Sequence, residues 1–282
     1  MNEPGSASGL RARPIGVFDS GIGGLTVVRQ LLSALPEESI VYFGDTARVP
    51  YGTKSPETVT RFTREAAQFL IRRNIKALIV ACNSASAVAL PALQRDQELP
   101  VMGVIQPGAK AAARATRRKR VGVLGTPATI GSGAYEAALA ALDPGIEVKG
   151  RACPLFVPLA EEGWIDGPVP EEVARVYLQP LLEWGADTLV LGCTHYPLLK
   201  ETLQKVAGPE VTLVDTAIET VSEVRALLAA RDLLASSGAP PSHEFFVSDV
   251  PAQFRAVGER FLGQAIETLR RVDQDDLPWY ER

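Results

Sequence analysis

The chain has 282 residues, enough for one large core or two moderate ones, since domains commonly run about 100–150 residues. Its 46% apolar and 22% charged content is that of a soluble globular protein, and no apolar run approaches the roughly 18 residues of a membrane span. A formal net charge of −4 lacks the basic surplus of a nucleic-acid binder, so two soluble domains with no nucleic-acid partner are expected.

Residues 1–13 are rich in Gly, Ser and Ala and lack the apolar core of a secretory signal. They are expected to form a flexible N-terminal tail on a cytoplasmic protein. Short aliphatic runs then recur at 15–18, 40–43, 77–81, 101–105, 121–124, 146–149, 188–191 and 211–214, separated by longer amphipathic stretches. Strands so continuously apolar are covered on both faces, which predicts an α/β fold with two doubly wound, mostly parallel sheets. The basic run Arg117, Arg118, Lys119, Arg120 is expected to be the solvated C-terminal end of a helix, where cations suit the dipole. Beyond the eighth run, a helix over 217–234, a strand over 244–248 and a helix over 251–269 are expected to return to the first domain. The predicted division is therefore 14–105 plus 217–282 for the first domain and 106–216 for the second.

The spacing also suggests a duplication. Gly16 precedes Cys82 by 66 residues and Gly122 precedes Cys193 by 71; each cysteine is followed by another short strand, with Val104 22 residues on and Val214 21. Two pseudo-symmetric α/β units would then each bring one thiol to a shared interface. In such sheets ligands bind beyond the carboxyl ends of the strands, where Asp19, Cys82, Thr126 and Cys193 fall.

The two cysteines sit in matching settings, Ala-Leu-Ile-Val-Ala-Cys82-Asn83-Ser84 and Thr-Leu-Val-Leu-Gly-Cys193-Thr194-His195. In each an aliphatic strand ends in a thiol and runs into small polar residues, whose hydroxyls, amide and helix-start N–H groups can hold a carboxylate and tune the thiol. A lone buried cysteine is commonly a small hydrophobe; two in matched settings point to paired bases. His195 can assist Cys193, or be a histidine satisfied by a backbone carbonyl. Cys153 lacks the polar sequel and is assigned to packing. Three distant cysteines and two histidines give neither a disulfide framework nor a zinc motif.

Asp19-Ser20-Gly21-Ile22-Gly23-Gly24 follows the first strand and opens a helix. It fits neither Gly-x-Gly-x-x-Gly nor a P-loop, and its free amides suit a carboxylate-bearing ligand better than a nucleotide. Asp19 can tune a base or bind an ammonium group, or cap the helix. The long loop over 44–55 offers Tyr51 and Gly52 as substrate contacts, although Pro-Tyr-Gly is also an ordinary turn.

These segments, with Gly-Val-Ile-Gln-Pro-Gly at 103–108 and Pro-Leu-Leu after Tyr196, run in order from residue 14 to beyond 215. Together they resemble the glutamate racemases of the cofactor-independent aspartate/glutamate racemase superfamily. The resemblance implies interconversion of L- and D-glutamate without cofactor or metal, supply of D-glutamate for bacterial peptidoglycan, and a homodimer. It implies that Cys82 and Cys193 are the catalytic thiols, supported by Asp19 and His195. Substrate contacts would come from Ser20, Tyr51, Gly52, Asn83, Ser84 and Thr194, with Asp19 and His195 also reaching the substrate; Thr126, from its place at a strand end, is a further expected contact. An auxiliary acid is implied at Glu161, with the adjacent Glu162 as its alternative. Other superfamily racemases, aspartate racemase among them, share this outline, and a two-lobed amino-acid sensor would share the fold but need neither thiol.

Overall fold

The computed structural model describes residues 7–235, 240–249 and 254–272. Among the described residues, ten strands form two sheets. The first contains β1 (Ile15–Asp19), β2 (Ile40–Gly44), β3 (Ala77–Val80), β4 (Val101–Gly103), β9 (His243–Val247) and β10 (Leu269–Arg271), in the order β10-β9-β2-β1-β3-β4. The second contains β5 (Arg120–Gly125), β6 (Glu147–Ala152), β7 (Thr188–Gly192) and β8 (Thr212–Asp215), in the order β6-β5-β7-β8. All pairings are parallel. The order β2-β1-β3-β4 is repeated, element for element, as β6-β5-β7-β8, so the two cysteines follow equivalent central strands, β3 and β7.

Alternation along each strand separates two layers of core. Ile15 and Val17 pack with Leu25, Val28 and Leu31 of the helix Leu25–Ala34 and with Val221, Val224 and Leu228 of the helix Thr216–Ala230. Phe18 faces the opposite layer with Val59, Phe62, Phe69 and Leu70 of the helix Pro56–Ile71. At the start of that helix Ser55 Oγ accepts from the Thr58 amide at 3.3 Å and Pro56 occupies the first turn. The second sheet is covered likewise, by Ala174, Leu178 and Leu181 on one face and by Ala109, Ala112, Ala138 and Leu139 on the other.

Several expectations need correction. The basic run is not a helix end: the preceding helix, Ile105–Ala115, stops before it, because Asp187 draws the chain into a turn. The Asp187 carboxylate accepts from Thr116 Oγ1 at 2.6 Å and from the amides of Arg117 and Arg118 at 2.7 and 2.6 Å, and Lys119 takes φ 56° before β5. Ile105 opens that helix and is not in the strand expected over 101–105. The helix expected over 251–269 is Phe254–Leu262, ended by Gly263 at φ 78°, and the chain continues into β10; 251–253 lie outside the described residues. In the expected tail, Ala7–Arg11 form a helical turn fastened by Lys76 Nζ, which donates to the Arg11 carbonyl at 2.7 Å, while 1–6 lie outside the described residues. Among the described residues no helix is long and apolar enough to cross a membrane.

Candidate active site

The carboxyl ends of the strands of both sheets open onto one cavity of about 250 Å³. From the first sheet come Ser20, Gly21 and Ile22 after β1, Val49 to Thr53 after β2, and Cys82, Asn83 and Ser84 after β3; from the second come Thr126 and Pro127 after β5, Pro154, Val157, Pro158 and Glu161 after β6, and Cys193, Thr194 and His195 after β7. Cys82 and Cys193 are 5% and 6% exposed, so both thiols are shielded from bulk water yet reach the cavity.

Their surroundings differ. Burial, the Asp19 carboxylate and the second thiol push Cys82 up to about 12, against the Ser20 side chain and the Ala85 amide, which favour its thiolate. Cys193 faces an imidazole: its Sγ lies 3.8 Å from His195 Nδ1, and His195 Nε2 lies 2.9 Å from Glu161 Oε1. Burial opposes a charge on His195, but the hydrogen bonds to Cys193 and Glu161 outweigh it and raise the imidazole to about 10. A protonated imidazole stabilises negative charge on the sulfur beside it, so proton sharing in the Cys193–His195 pair is a property of the pair. Burial and the Asp19 carboxylate favour the neutral thiol at Cys82.

Removing Glu161 removes one of the interactions that raise His195, so its pKa must fall. Glu161→Gln is expected to move the His195 ring signal, the one of the chain's two histidine titrations lying well above the ordinary range, toward acid pH in NMR. His243, which burial lowers, should stay in place. An unmoved upper titration would show that Glu161 does not support the imidazole.

The cavity wall unites most of the expected site residues, with three refinements. Asp19 is not on the wall; it is fully buried behind Cys82 and its Oδ2 accepts from the Gly21 amide at 2.9 Å. Burial raises its carboxyl, His195 and the amides of Gly21, Gly24 and Ser20 pull it down, and the loop amides expected for a ligand thus serve Asp19 instead. Tyr51 lines the cavity, but its hydroxyl donates to Asp45 Oδ2 at 2.5 Å, an acceptor also held by Arg48 and, through Oδ1, by Ser248. Of the two adjacent glutamates, Glu161 contacts His195 and lines the cavity; Glu162 does not line it. Cys153 is buried in the second core, where burial raises its thiol, and it stays off the wall.

Thr129, Phe261 and Arg260 were not among the expected residues, whereas Ser84 and Thr126 were. Ser84 Oγ, Thr126 Oγ1 and Thr129 Oγ1 form a hydroxyl cluster across the two sheets, at 2.9, 3.1 and 3.3 Å. Thr126 also caps the helix Pro127–Gly131, and that Thr-Pro pair was a legible signal. From the far end of the chain, Phe261 packs its ring edge-on to His195 at 5.0 Å and Arg260 Nη2 donates to the Glu161 carbonyl at 2.7 Å. Nothing local in the sequence announces those two contacts.

Comparisons with known proteins show the family. The family model described as Asp/Glu/Hydantoin racemase matches residues 15–224. A glutamate racemase of Geobacter metallireducens is 59% identical over 260 residues, covering 92% of this chain and 96% of that relative. The crystal structure of the Francisella tularensis glutamate racemase in complex with D-glutamate is 43% identical, with a TM-score of 0.89 over 94% of this chain and 99% of that one. That of the Thermus thermophilus glutamate racemase in complex with β-chloro-D-alanine is 46% identical, with a TM-score of 0.86 over 95% and 99%. With two matching sheets, a thiol after the equivalent strand of each, and such likeness over nearly the whole chain, this protein belongs to the Asp/Glu/hydantoin racemase family, among its glutamate racemases.

Proposed function

We propose that the chain interconverts L- and D-glutamate by proton transfer at Cα between Cys82 and Cys193, with no cofactor. The observation that carries this reading is the placement of the two thiols after equivalent strands of two sheets that share one cavity. Inversion needs a proton removed from one face of Cα and another delivered to the opposite face, and bases from two units suit that task. One sulfur, as thiolate, takes the α-proton; the electron pair of the broken C–H bond accepts a proton on the other face from the second sulfur, as thiol. The roles reverse with the other enantiomer.

An α-C–H is weakly acidic, so developing charge on the substrate carboxylate must be met by preorganised donors in a dry site. Asn83, the Ser84–Thr126–Thr129 hydroxyls and Thr194 supply them. The ammonium group of the ligand would favour the Cys82 thiolate that burial and Asp19 now oppose. His195, held by Glu161, supports charge on Cys193. In this reading the functional units are 14–105 with 217–282 and 106–216, a division supported by the pairing of β9 and β10 onto the first sheet. The product would feed bacterial peptidoglycan from the cytoplasm, and the assembled enzyme would be a homodimer.

Circular dichroism of L-glutamate incubated with purified protein tests the reading. Ellipticity is expected to decay to zero without added cofactor, to be unaffected by pyridoxal phosphate, and to fall much more slowly with L-aspartate. Saturable binding without decay would mark a sensor, and faster decay of aspartate a different racemase.

A further inference from the structure

One buried phenol touches both the turn that follows β3, at Asn83, and the last residue of β7, Gly192. Tyr135, 1% exposed on the helix Ala134–Leu142, donates its hydroxyl to Asn83 Oδ1 at 2.7 Å. Asn83 is the residue after Cys82 and stands on the other sheet's unit. The Tyr135 ring lies against Gly192, the residue before Cys193, so closely that a Cβ there would sit 3.2 Å from Cε2. An amide has two ends, and a phenolic O–H that donates to the oxygen fixes which way the amide faces. The other end, Asn83 Nδ2, is buried, makes no hydrogen bond within the protein, and belongs to a side chain on the cavity wall. A buried N–H pair held without a protein acceptor is costly unless a ligand satisfies it.

We propose that Tyr135 is a positioning residue that orients the Asn83 amide so that its NH₂ donates to a carboxylate oxygen of the bound amino acid. The inference rests on the reading of the cavity as an amino-acid site. Loss of the phenolic hydroxyl frees the amide to turn, which weakens ligand binding in both directions of the reaction while the thiols keep their supports. Tyr135→Phe preserves the ring against Gly192 and removes only the oxygen.

The test compares Tyr135→Phe, Asn83→Ala, the double variant and Asn83→Asp, measuring KM and kcat for L- and D-glutamate and the calorimetric Kd for D-glutamate, with Tm as a control on folding. Tyr135→Phe is expected to raise KM and Kd about five- to tenfold for both enantiomers with kcat changed less than about threefold, the size of one neutral hydrogen bond. Asn83→Asp keeps an acceptor for Tyr135 but loses the NH₂, and should weaken binding at least as much. The double variant should bind no worse than Asn83→Ala, since Tyr135 acts only through Asn83. Unchanged Kd in Tyr135→Phe, full multiplication of the two single effects, or unchanged Kd in Asn83→Ala would each overturn the proposal. Absence of racemisation by the wild-type chain would instead overturn the function on which it rests, while the Kd comparison would still read Tyr135.

Discussion

Cys82→Ala and Cys193→Ala are each expected to lower racemisation by at least about 10³-fold in both directions, within the range that a positioned acid or base contributes. Each substitution leaves one competent thiol on one face of Cα and nothing on the other, so inversion stops although binding persists. The measurement is ellipticity decay from each enantiomer, paired with mass-spectrometric or NMR detection of α-deuterium in D₂O. Each variant should retain slow exchange from only one enantiomer, the opposite one in the two variants, because the remaining sulfur reaches only the proton that faces it. Residual activity should also differ, since Cys82 lies beside a buried carboxylate whereas Cys193 is partnered by an imidazole raised to about 10. Full racemisation by either variant would rule out a mechanism using both sulfurs.

Gly23→Ala should lower kcat about 10²-fold with a smaller effect on Tm, although Gly23 carries no functional group. A Cβ at that position would overlap Thr194 Oγ1 and lie 2.5 Å from His195 Nδ1. His195 is edged by the Phe261 ring and tied to Glu161, and the Thr194 carbonyl accepts from Thr26 Oγ1 at 3.0 Å. The methyl group must therefore push the Cys193 turn away from the first sheet, and displacement of about 1 Å can cost about 10² in rate. Gly52 makes a similar approach, its would-be Cβ 2.8 Å from Thr126 Cβ. Steady-state kinetics with a thermal melt would distinguish this from simple destabilisation: a large loss of Tm with kcat restored at low temperature would contradict it.

The same glycine marks where sequence reading reached its limit. Asp19-Ser-Gly-Ile-Gly-Gly was legible as a turn between strand and helix, and free amides made an anion site the natural expectation. Instead the Gly21 amide goes to Asp19, and the missing Cβ of Gly23 lets the second sheet's turn come close. Which atoms a missing side chain makes room for is a long-range fact with no local signature. Tyr51 shows the same limit, for its place on the wall could be expected but the claim of Asp45 on its hydroxyl could not.

By itself the sequence determined the alternation of buried strands and amphipathic helices, the repeated order of elements, and the two thiols at equivalent strand ends, because periodicity and spacing are local properties written directly in residue order. Only the tertiary structure decided how the halves meet. It put Phe261 and Arg260 beside the His195–Glu161 pair, joined the Ser84 and Thr126 hydroxyls across the sheets, and brought Tyr135 to Asn83. Those contacts span dozens to nearly a hundred residues of chain, and they arise from packing two closed cores against each other, which fixes side-chain distances that no single segment encodes.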